Sequence, residues 1–207
     1  MSRGTVSGNG IVTDGLILAL DAANPKSYPG SGNIWYDMSK SRAHSTLINS
    51  PTWNSQGYFS FDGINDGADG IDVPQNYVDL MIGLQLVNPI FLGMIFAKYN
   101  DEDYSLRGYG NSLLYNGLNQ NDWGNGGMFY NGNFVTTNVD MTGKFNIYRS
   151  YRTNSAGFNP PFVYSISSDF QNRRLRGYLA FVLCYDRVLT NQEVLQNYNA
   201  TKTRFGL

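Results

Sequence analysis

The hydrophobic pattern is clearest near the end of the chain, where residues 176–185 form an apolar run with aromatic and β-branched side chains. A continuous run of this length predicts a strand that is buried on both faces. Thr190 and Glu193 follow with the spacing of a capping box, in which a hydroxyl and a carboxylate satisfy free amides at a helix start. The short helix is predicted to have an apolar side formed by Val194, Leu195 and Tyr198.

Shorter apolar or alternating segments recur through the rest of the chain, separated by Gly, Asn, Asp and Pro. Asn131-Gly132 lies between two strand-like runs and predicts a hairpin, because both residues accept a positive φ. Residues 144–152 alternate, with one face formed by Phe145, Ile147, Arg149 and Tyr151. Residues 78–84 fit either a strand or a helical turn. The other predicted strands lie at 15–23, 45–49, 58–63, 90–98 and 162–167.

Many short strands with tight turns and one terminal helix predict an all-β fold, a two-sheet antiparallel jelly-roll sandwich with one short C-terminal helix. Residues 1–14 are predicted to form an N-terminal arm, because the chain begins with a polar, Gly- and Ser-rich stretch. A neighbouring subunit could hold this arm in place. No repeat or composition break divides the remainder, so residues 15–207 are predicted to form one jelly-roll domain.

Composition supports a globular domain and excludes several classes of protein. Hydrophobic residues make up 42% of the 207 residues, which is enough for a core. The single cysteine, Cys184, excludes an internal disulfide and is expected to be a buried apolar residue. No apolar run approaches the ~20 residues of a membrane helix, and no basic-then-apolar leader opens the sequence. We therefore expect no membrane partner and synthesis in a host cytoplasm.

The net charge of -1 gives no support for nucleic-acid binding, but the charges are unevenly distributed. Residues 1–139 contain 6 Lys/Arg and 12 Asp/Glu, whereas residues 140–207 contain 9 and 4. Such an acidic front and basic back could orient copies of the chain or partners as they dock. Ordinary solvated faces explain the same imbalance.

Three segments carry a resemblance to a known family. They are residues 15–39, with the run Gly-Leu-Ile-Leu-Ala-Leu-Asp and a later Trp-Tyr-Asp-Met-Ser; residues 57–66, with Tyr-Phe-Ser-Phe-Asp-Gly; and the closing segment 176–206. Together they resemble the concanavalin A-like lectin/glucanase (laminin-G-like) jelly roll, and more closely the form found in bacteriophage virion proteins. Residues 40–45 depart from the family, which usually has a Gly/Asn-rich turn there. Residues 64–175 match none of its motifs.

The resemblance implies a virion structural protein, since such domains serve as capsid decoration proteins, tail or fibre parts and surface glycan binders. We expect a bacteriophage capsid decoration or cement protein that acts by adhesion to the capsid lattice, on the surface of the virion. Its expected partners are other virion proteins, the major capsid protein first, and copies of itself. The alternative is a carbohydrate-binding or adhesion module of a tail or fibre that contacts a glycan on the host surface. The fold alone does not choose between them.

Catalysis is not expected. A glycosidase needs two carboxylates at a fixed separation, and one of them needs a raised pKa. The chain has two glutamates: Glu102 lies in an acidic stretch typical of an exposed loop, and Glu193 is explained as a helix cap. His44, the single histidine, lies in a polar segment with no nucleophile signature nearby. No catalytic residue is therefore assigned.

No cofactor is expected and no metal site is assigned. One histidine and one cysteine do not make a zinc site, and no Gly-rich phosphate loop leads from a strand into a helix. Calcium is the more serious alternative, because oxygen ligands cluster in one segment. Turn formation by Asp-Gly and Asn-Asp-Gly explains the same residues. The oxygen-bearing residues are Asp62, Asn65, Asp66, Asp69 and Asp72.

Two further segments have the composition of contact surfaces. The loop at residues 115–125 combines amides with Trp123 and could bind a glycan, although Asn/Gly-rich hairpin loops have this composition for conformational reasons alone. Residues 173–176 form a small basic cluster that could pair with acidic groups on a partner or remain solvated at a strand end.

Overall fold

The structure is a computed structural model that describes residues 10–73, 78–87, 94–98, 105–109, 113–116, 128–135, 139–151, 162–167 and 174–207. The strands are β1 (Leu16–Asp21), β2 (Ile34–Trp35), β3 (Ser45–Ile48), β4 (Thr52–Asn54), β5 (Tyr58–Asp62), β6 (Gly67–Val73), β7 (Asp79–Leu86), β8 (Met94–Lys98), β9 (Ser105–Tyr109), β10 (Leu113–Asn116), β11 (Met128–Tyr130), β12 (Asn133–Val135), β13 (Asn146–Tyr151), β14 (Phe162–Ile166) and β15 (Arg176–Tyr185). Helix α1 (Asn191–Thr201) follows and continues into a 3-10 helix (Lys202–Phe205).

The strands form two antiparallel sheets packed as a sandwich. The first sheet has eight strands, in the order β12-β11-β13-β7-β15-β5-β4, with β1 also paired to β15. The second has seven strands, in the order β10-β9-β8-β14-β6-β3-β2. The fold is therefore all-β with one short C-terminal helix, as predicted, and it is consistent with a jelly roll.

Strand β15 lies at the centre of the first sheet, because three strands pair with it. Its residues 176–179 pair with β5 and residues 181–185 pair with β1, while β7 pairs along the opposite edge. Each side chain from Leu179 to Tyr185 is at most 2% exposed. The prediction of a strand buried on both faces is confirmed. Cys184 is a buried thiol, as predicted, and burial raises its pKa.

Alternating residues of β15 enter two different apolar layers. Leu179, Val182 and Cys184 belong to the main core, which contains side chains from both sheets. Phe181, Leu183 and Tyr185 belong to a second cluster on the outer face of the first sheet. From Phe181 to Tyr185 this division follows the period-2 alternation of a strand. Leu179 and Phe181, two residues apart, enter different layers because the register with β7 shifts between them.

Helix α1 covers that outer cluster, and its N-terminus is built as the sequence predicts. The Thr190 side chain accepts from the Glu193 amide, and the Glu193 carboxylate accepts from the Thr190 amide, so the capping box is confirmed. Leu189 precedes the cap and Val194 follows it, at the spacing of a hydrophobic staple. Both side chains are buried.

The predicted apolar side of α1 is wrong at one position. Leu195 is 41% exposed and points away from the sheet, whereas Asn197 is fully buried on the packed side. The buried residues of the helix are Val194, Asn197 and Thr201, whose three- and four-residue spacing defines the packed side, and Leu195 is rotated about 100° from Val194, away from that side. Position 195 therefore faces outward, although its side chain is apolar.

Other local predictions are confirmed. Asn131 and Gly132 have φ of 49° and 84° and join β11 to β12 in a hairpin. Residues 79–86 are a strand rather than a helical turn. In β13, Ile147 belongs to the outer cluster and Tyr148 to the main core, as the alternation indicates. No helix formed by the described residues is long and apolar enough to cross a membrane.

Candidate functional site

Residues 10–14 are the described part of the predicted N-terminal arm, and they lie on α1 and the end of β15. The Val12 amide donates to the side-chain oxygen of Asn197 at 2.8 Å, and the Val12 carbonyl accepts from the Tyr185 hydroxyl at 3.0 Å. Asn197 also donates to the Tyr185 hydroxyl at 2.9 Å, which closes a buried network of three residues. Helix, strand and arm are therefore joined at one point, which we call the arm anchor.

Two further contacts extend the arm anchor. The Gly10 carbonyl accepts from the Gln196 side-chain amide at 2.6 Å. On the other side of Val12, Arg187 bridges Asp14, at 2.8 Å, and Glu193, at 2.6 Å. The Arg187 guanidinium and the Thr190 amide lower the pKa of Glu193 to about 2, because together they outweigh the effect of partial burial. The base of the arm is thus held from Gly10 to Asp14.

A buried ion pair lies under the segment that leads into α1. Asp79 and Arg149 are 0% and 2% exposed, and Arg149 Nε donates to Asp79 Oδ1 at 2.9 Å. The Leu189 amide donates to Asp79 Oδ2 at 2.9 Å, so the pair also binds the residue before the helix cap. Burial raises the pKa of Asp79, and the Arg149 guanidinium only partly offsets this effect. A carboxylate enclosed in this way supports the fold and is closed to substrate.

The charge imbalance seen in the sequence is partly neutralised by ion pairs within the chain. Three arginines from the basic back of the chain bind carboxylates from its acidic front: Arg149 binds Asp79, Arg187 binds Asp14, and Arg204 binds Asp21. These six side chains are therefore engaged with one another and do not form opposed acidic and basic faces.

An aromatic strip lies on the outer face of the first sheet, next to the end of the 3-10 helix. It consists of the half-buried rings of Tyr58, Phe145 and Tyr178. The Tyr58 ring centroid is 5.1 Å from that of Phe145 and 5.3 Å from that of Tyr178. Phe205 stacks on Phe145 at 4.8 Å and bounds the strip on the helix side.

Uncharged polar groups flank the aromatic strip. Tyr178 pairs with Gln85 on β7 and with Ser60 on β5, and directly paired residues point to the same face of a sheet. Among the described residues, the hydroxyls of Tyr58 and Tyr178 and the Gln85 amide group form no side-chain hydrogen bond. The strip therefore presents ring surface together with free donors and acceptors.

The structure gives structural roles to the residues considered for catalysis. Glu193 is bound by the helix cap and by Arg187, and its lowered pKa is the opposite of what a general acid needs. The His44 Nδ1 atom accepts from the Asp37 amide at 3.0 Å, and the ring packs against Tyr36 at 5.1 Å. Glu102 lies outside the described residues.

The calcium alternative gains no support from the described residues. The Asp62 Oδ1 atom accepts from the backbone amides of Ile64, Asn65 and Asp66, and this arrangement forms a turn. Burial tends to raise the pKa of Asp62, but these hydrogen bonds outweigh that effect and lower the pKa. In the ranges that the structure describes, no three His, Cys, Asp or Glu side chains form a group that could hold a metal ion.

The two predicted contact segments are only partly described. Residues 117–125, with Trp123, and Arg173 lie outside the described residues. Arg174 donates to the Ser167 carbonyl at 2.6 Å, and Arg176 is exposed, paired across the sheet with Asp62. Neither Asn197 nor Tyr185 was predicted to be a functional residue. An amide three residues after Val194, on the packed side of an amphipathic helix, is the signal that could have identified the arm anchor.

No protein-family model matches the sequence, and no curated protein matches it. Solved structures do match the fold. A Trypanosoma rangeli sialidase superposes with a TM-score of 0.57 at 12% identity, over 92% of this chain and 33% of the sialidase chain. The botulinum neurotoxin serotype D binding domain superposes with a TM-score of 0.56 at 12% identity, over 92% of this chain and 53% of that one.

These likenesses show a β-sandwich fold. The chain spans a third of the sialidase chain and about half of the toxin domain, so the activities of those proteins are not transferred with the fold. A sandwich-like β fold is compatible with the lectin-like jelly roll that the sequence resembles.

Proposed function

We propose that the chain is a bacteriophage virion structural protein that decorates the capsid lattice by adhesion. Its partners are the major capsid protein and copies of itself, on the capsid surface. Specific protein interfaces bury ~1,200–2,000 Å² in total, an area that a domain with an added arm can supply.

The arm anchor is the observation that carries this proposal. Three side chains, Gln196, Asn197 and Tyr185, bind the backbone of Gly10 and Val12, so the preceding nine residues start from a fixed point on the domain. A segment whose start is fixed loses less freedom when it binds a partner. An arm with such a base suits adhesion, and it has no evident use in a catalytic site.

The roles of the ionisable groups support the same proposal. Glu193, Asp79 and Asp62 bind backbone amides or arginines of the domain itself. His44 accepts a backbone hydrogen bond. An adhesion protein acts through area and complementarity and needs no titratable group free for chemistry.

Cosedimentation with capsids that lack the protein tests the proposal. The full chain is compared with a variant lacking residues 1–9, which retains Gly10 and therefore the complete arm anchor. We expect saturable binding at a stoichiometry set by the lattice, and weaker binding by the truncated chain. Absence of binding by both proteins would exclude capsid decoration.

The aromatic strip favours a second candidate, a carbohydrate-binding module of a tail or fibre. Rings with adjacent free hydroxyls and an amide can contact both the apolar face and the hydroxyls of a sugar. One matching sialidase structure, with a TM-score of 0.50, is described as a complex with sialic acid, and the toxin structure is described as a binding domain. A glycan array tests this candidate, with Tyr178→Ala as the strip variant and Phe134→Ala as the control. Loss of a glycan signal in the strip variant alone would support it.

A further inference from the structure

Three cationic side chains lie at one corner of the fold, in the two loops between β1 and β3. Lys26, Lys40 and Arg42 are exposed, and within the described part of the chain their side chains form no hydrogen bond or ion pair. Three of the arginines elsewhere in the domain, by contrast, bind carboxylates. The cations at this corner are therefore available to a partner.

Hydrogen bonds hold the two loops side by side. The Tyr36 amide donates at 2.7 Å to the carbonyl of the residue that follows Lys26. Next along the chain, the Asp37 carboxylate accepts from the amides of residues 39 and 43, which lie on either side of Lys40 and Arg42. The segment that carries these two cations is thus folded around one buried carboxylate, beside the loop that carries Lys26.

Arg42 is held in a conformation that does not favour arginine. Its φ is 55°, in the left-handed region that glycine adopts freely and that strains a residue with a Cβ. The Arg42 carbonyl accepts from the His44 amide at 2.8 Å, which tightens the turn. No described residue of the domain binds the Arg42 guanidinium, so the fold itself does not require an arginine here. Strain of this kind is typical of functional positions.

The carboxylates near this corner do not neutralise its surface. Asp37 is the only acidic residue between positions 22 and 61; it is 3% exposed, and its oxygens accept hydrogen bonds from the loop itself. Asp21, at the end of β1, is bound by Arg204. Asp69 lies opposite Thr46 on the second sheet and is half-buried, with interactions of its own. One buried negative charge against three exposed cations leaves the corner positive.

Two aromatic rings extend this surface. Tyr36 is 40% exposed, and its ring centroid is 5.1 Å from that of His44. Because His44 Nδ1 accepts a hydrogen bond, the proton of the neutral ring lies on Nε2, which can donate to a partner. Tyrosine and arginine are enriched at protein interfaces. We use the name cationic corner for the set Lys26, Tyr36, Lys40, Arg42 and His44.

We infer that the cationic corner docks on an acidic patch of the capsid protein, whose carboxylates pair with Lys26, Lys40 and Arg42. This inference rests on the proposed function and adds to it the contact surface of this chain and the charge of the partner surface. A protein partner fits better than a nucleic acid. The net charge of the chain is -1, whereas nucleic-acid binding uses an extended basic surface that neutralises many phosphates. A few cations at one corner match a local group of carboxylates.

Charge reversal in the full chain tests the inference by cosedimentation with capsids that lack the protein. Lys40→Glu is compared with Lys144→Glu, which makes the same change at an exposed lysine in the turn before β13. In about 0.1 M salt we expect Lys40→Glu to weaken capsid binding about tenfold, because it sets like charges against each other. The difference should shrink in about 1 M salt, where exposed charges are screened. Lys144→Glu should bind as the parent does at both salt concentrations.

A second variant, Arg42→Gly, separates docking from folding. Glycine adopts a φ of 55° without strain, which offsets its greater freedom in the unfolded chain. We expect Arg42→Gly to unfold at the temperature of the parent or above it, and to bind capsids several-fold more weakly. Weaker binding by a protein of undiminished stability is a loss of contact and not a loss of fold.

The outcomes distinguish this inference from the proposed function. If the parent binds capsids and both Lys40→Glu and Arg42→Gly bind equally well, the cationic corner is not the docking surface, and capsid decoration stands. If sedimentation velocity shows that Lys40→Glu dissociates an oligomer while capsid binding is unchanged, the corner joins copies of the chain and the inference fails. It also fails if the parent binds a double-stranded DNA probe and Lys40→Glu does not. If the parent does not bind capsids, the proposed function itself fails.

Discussion

The guanidinium of Arg149 and the carboxylate of Asp79 form an ion pair that is at most 2% exposed, and they connect β13 to β7 beneath the start of α1. Arg149 also lies over the Tyr151 ring, 3.8 Å from its centroid. Because Asp79 additionally accepts from the Leu189 amide, the pair ties the sheet to the segment that positions the helix cap. The orientation of α1 therefore depends on two residues that are 70 positions apart in sequence.

We predict that breaking this pair on one side is strongly destabilising. Asp79→Leu or Arg149→Met should lower the free energy of unfolding by about 3–5 kcal/mol, because each leaves a buried group without its partner. The double variant Asp79→Leu/Arg149→Met should be closer to the parent than either single variant, since no charge is then buried. Urea denaturation measures all of these values. Additive losses in the double variant would show that the two side chains act independently.

Much of the architecture could be predicted because it depends on local pattern. The apolar run of β15, the capping box at Thr190 and the Asn131-Gly132 hairpin are each determined by neighbouring residues, and all three are confirmed. Pairing order could not be predicted, because β7 and β15 are brought together by contacts distant in sequence. Arg149 shows the limit clearly, since alternation places it on the correct face and gives no indication that Asp79 lies there.

The arm anchor could be predicted only in part, for a related reason. Its three residues, Val12, Tyr185 and Asn197, are separated by up to 185 positions, so the amide of Asn197 on the packed side of α1 signals a buried partner but does not indicate that the partner is Val12. The exposure of Leu195 could not be anticipated either, because an apolar residue on a short helix is usually assigned to the packed side. Both features depend on how the helix lies on the sheet, which is a property of the assembled fold.

We predict that Asn197→Ala releases the base of the N-terminal arm. The substitution leaves the Val12 amide without an acceptor and the Tyr185 hydroxyl without a donor. The expected cost is about 1–3 kcal/mol in the free energy of unfolding, with faster hydrogen exchange at Val12. Asn199→Ala is the control, because Asn199 lies two residues further along the same helix and is exposed. It should change neither the free energy of unfolding nor the exchange at Val12. Unchanged exchange at Val12 in Asn197→Ala would contradict the anchoring role.

The Arg187–Glu193 pair predicts an acid-dependent loss of stability. The pKa of Glu193 is lowered to about 2 in the folded protein from an ordinary value of 4.5. A lowered folded-state pKa means that the carboxylate stabilises the fold above about pH 4.5, and that this contribution is lost as the pH falls toward 2. Comparison with Glu193→Gln isolates the effect. The stability difference between the two proteins should be constant from pH 7 to pH 5 and should shrink below pH 4.5. A difference that does not vary with pH would show that Glu193 acts through packing alone.

Asp37 organises the loop that follows β2 and is the subject of the last prediction. Its Oδ1 atom accepts from the amides of Ala19, at 2.7 Å, and Ser39, at 2.8 Å. Its Oδ2 atom accepts from the Ser39 hydroxyl, at 2.7 Å, and from the Ala43 amide, at 2.9 Å. The two carboxylate oxygens therefore accept four hydrogen bonds, and Asp37 is only 3% exposed.

Asp37→Asn keeps the shape of this side chain and replaces one oxygen with a donor. If the amide nitrogen takes the Oδ1 position, the Ala19 and Ser39 amides lose their acceptor; if it takes the Oδ2 position, the Ala43 amide does, while the Ser39 hydroxyl can accept instead. We expect a loss of about 1–3 kcal/mol for each buried group left unsatisfied. Asp72→Asn makes the same change on an exposed strand position and should stay within about 0.5 kcal/mol of the parent. Thermal and urea unfolding of the two variants provide the comparison. Equal stability of the two variants would mean that the loop rearranges freely. The four hydrogen bonds of Asp37 would then be a consequence of the fold and not one of its causes.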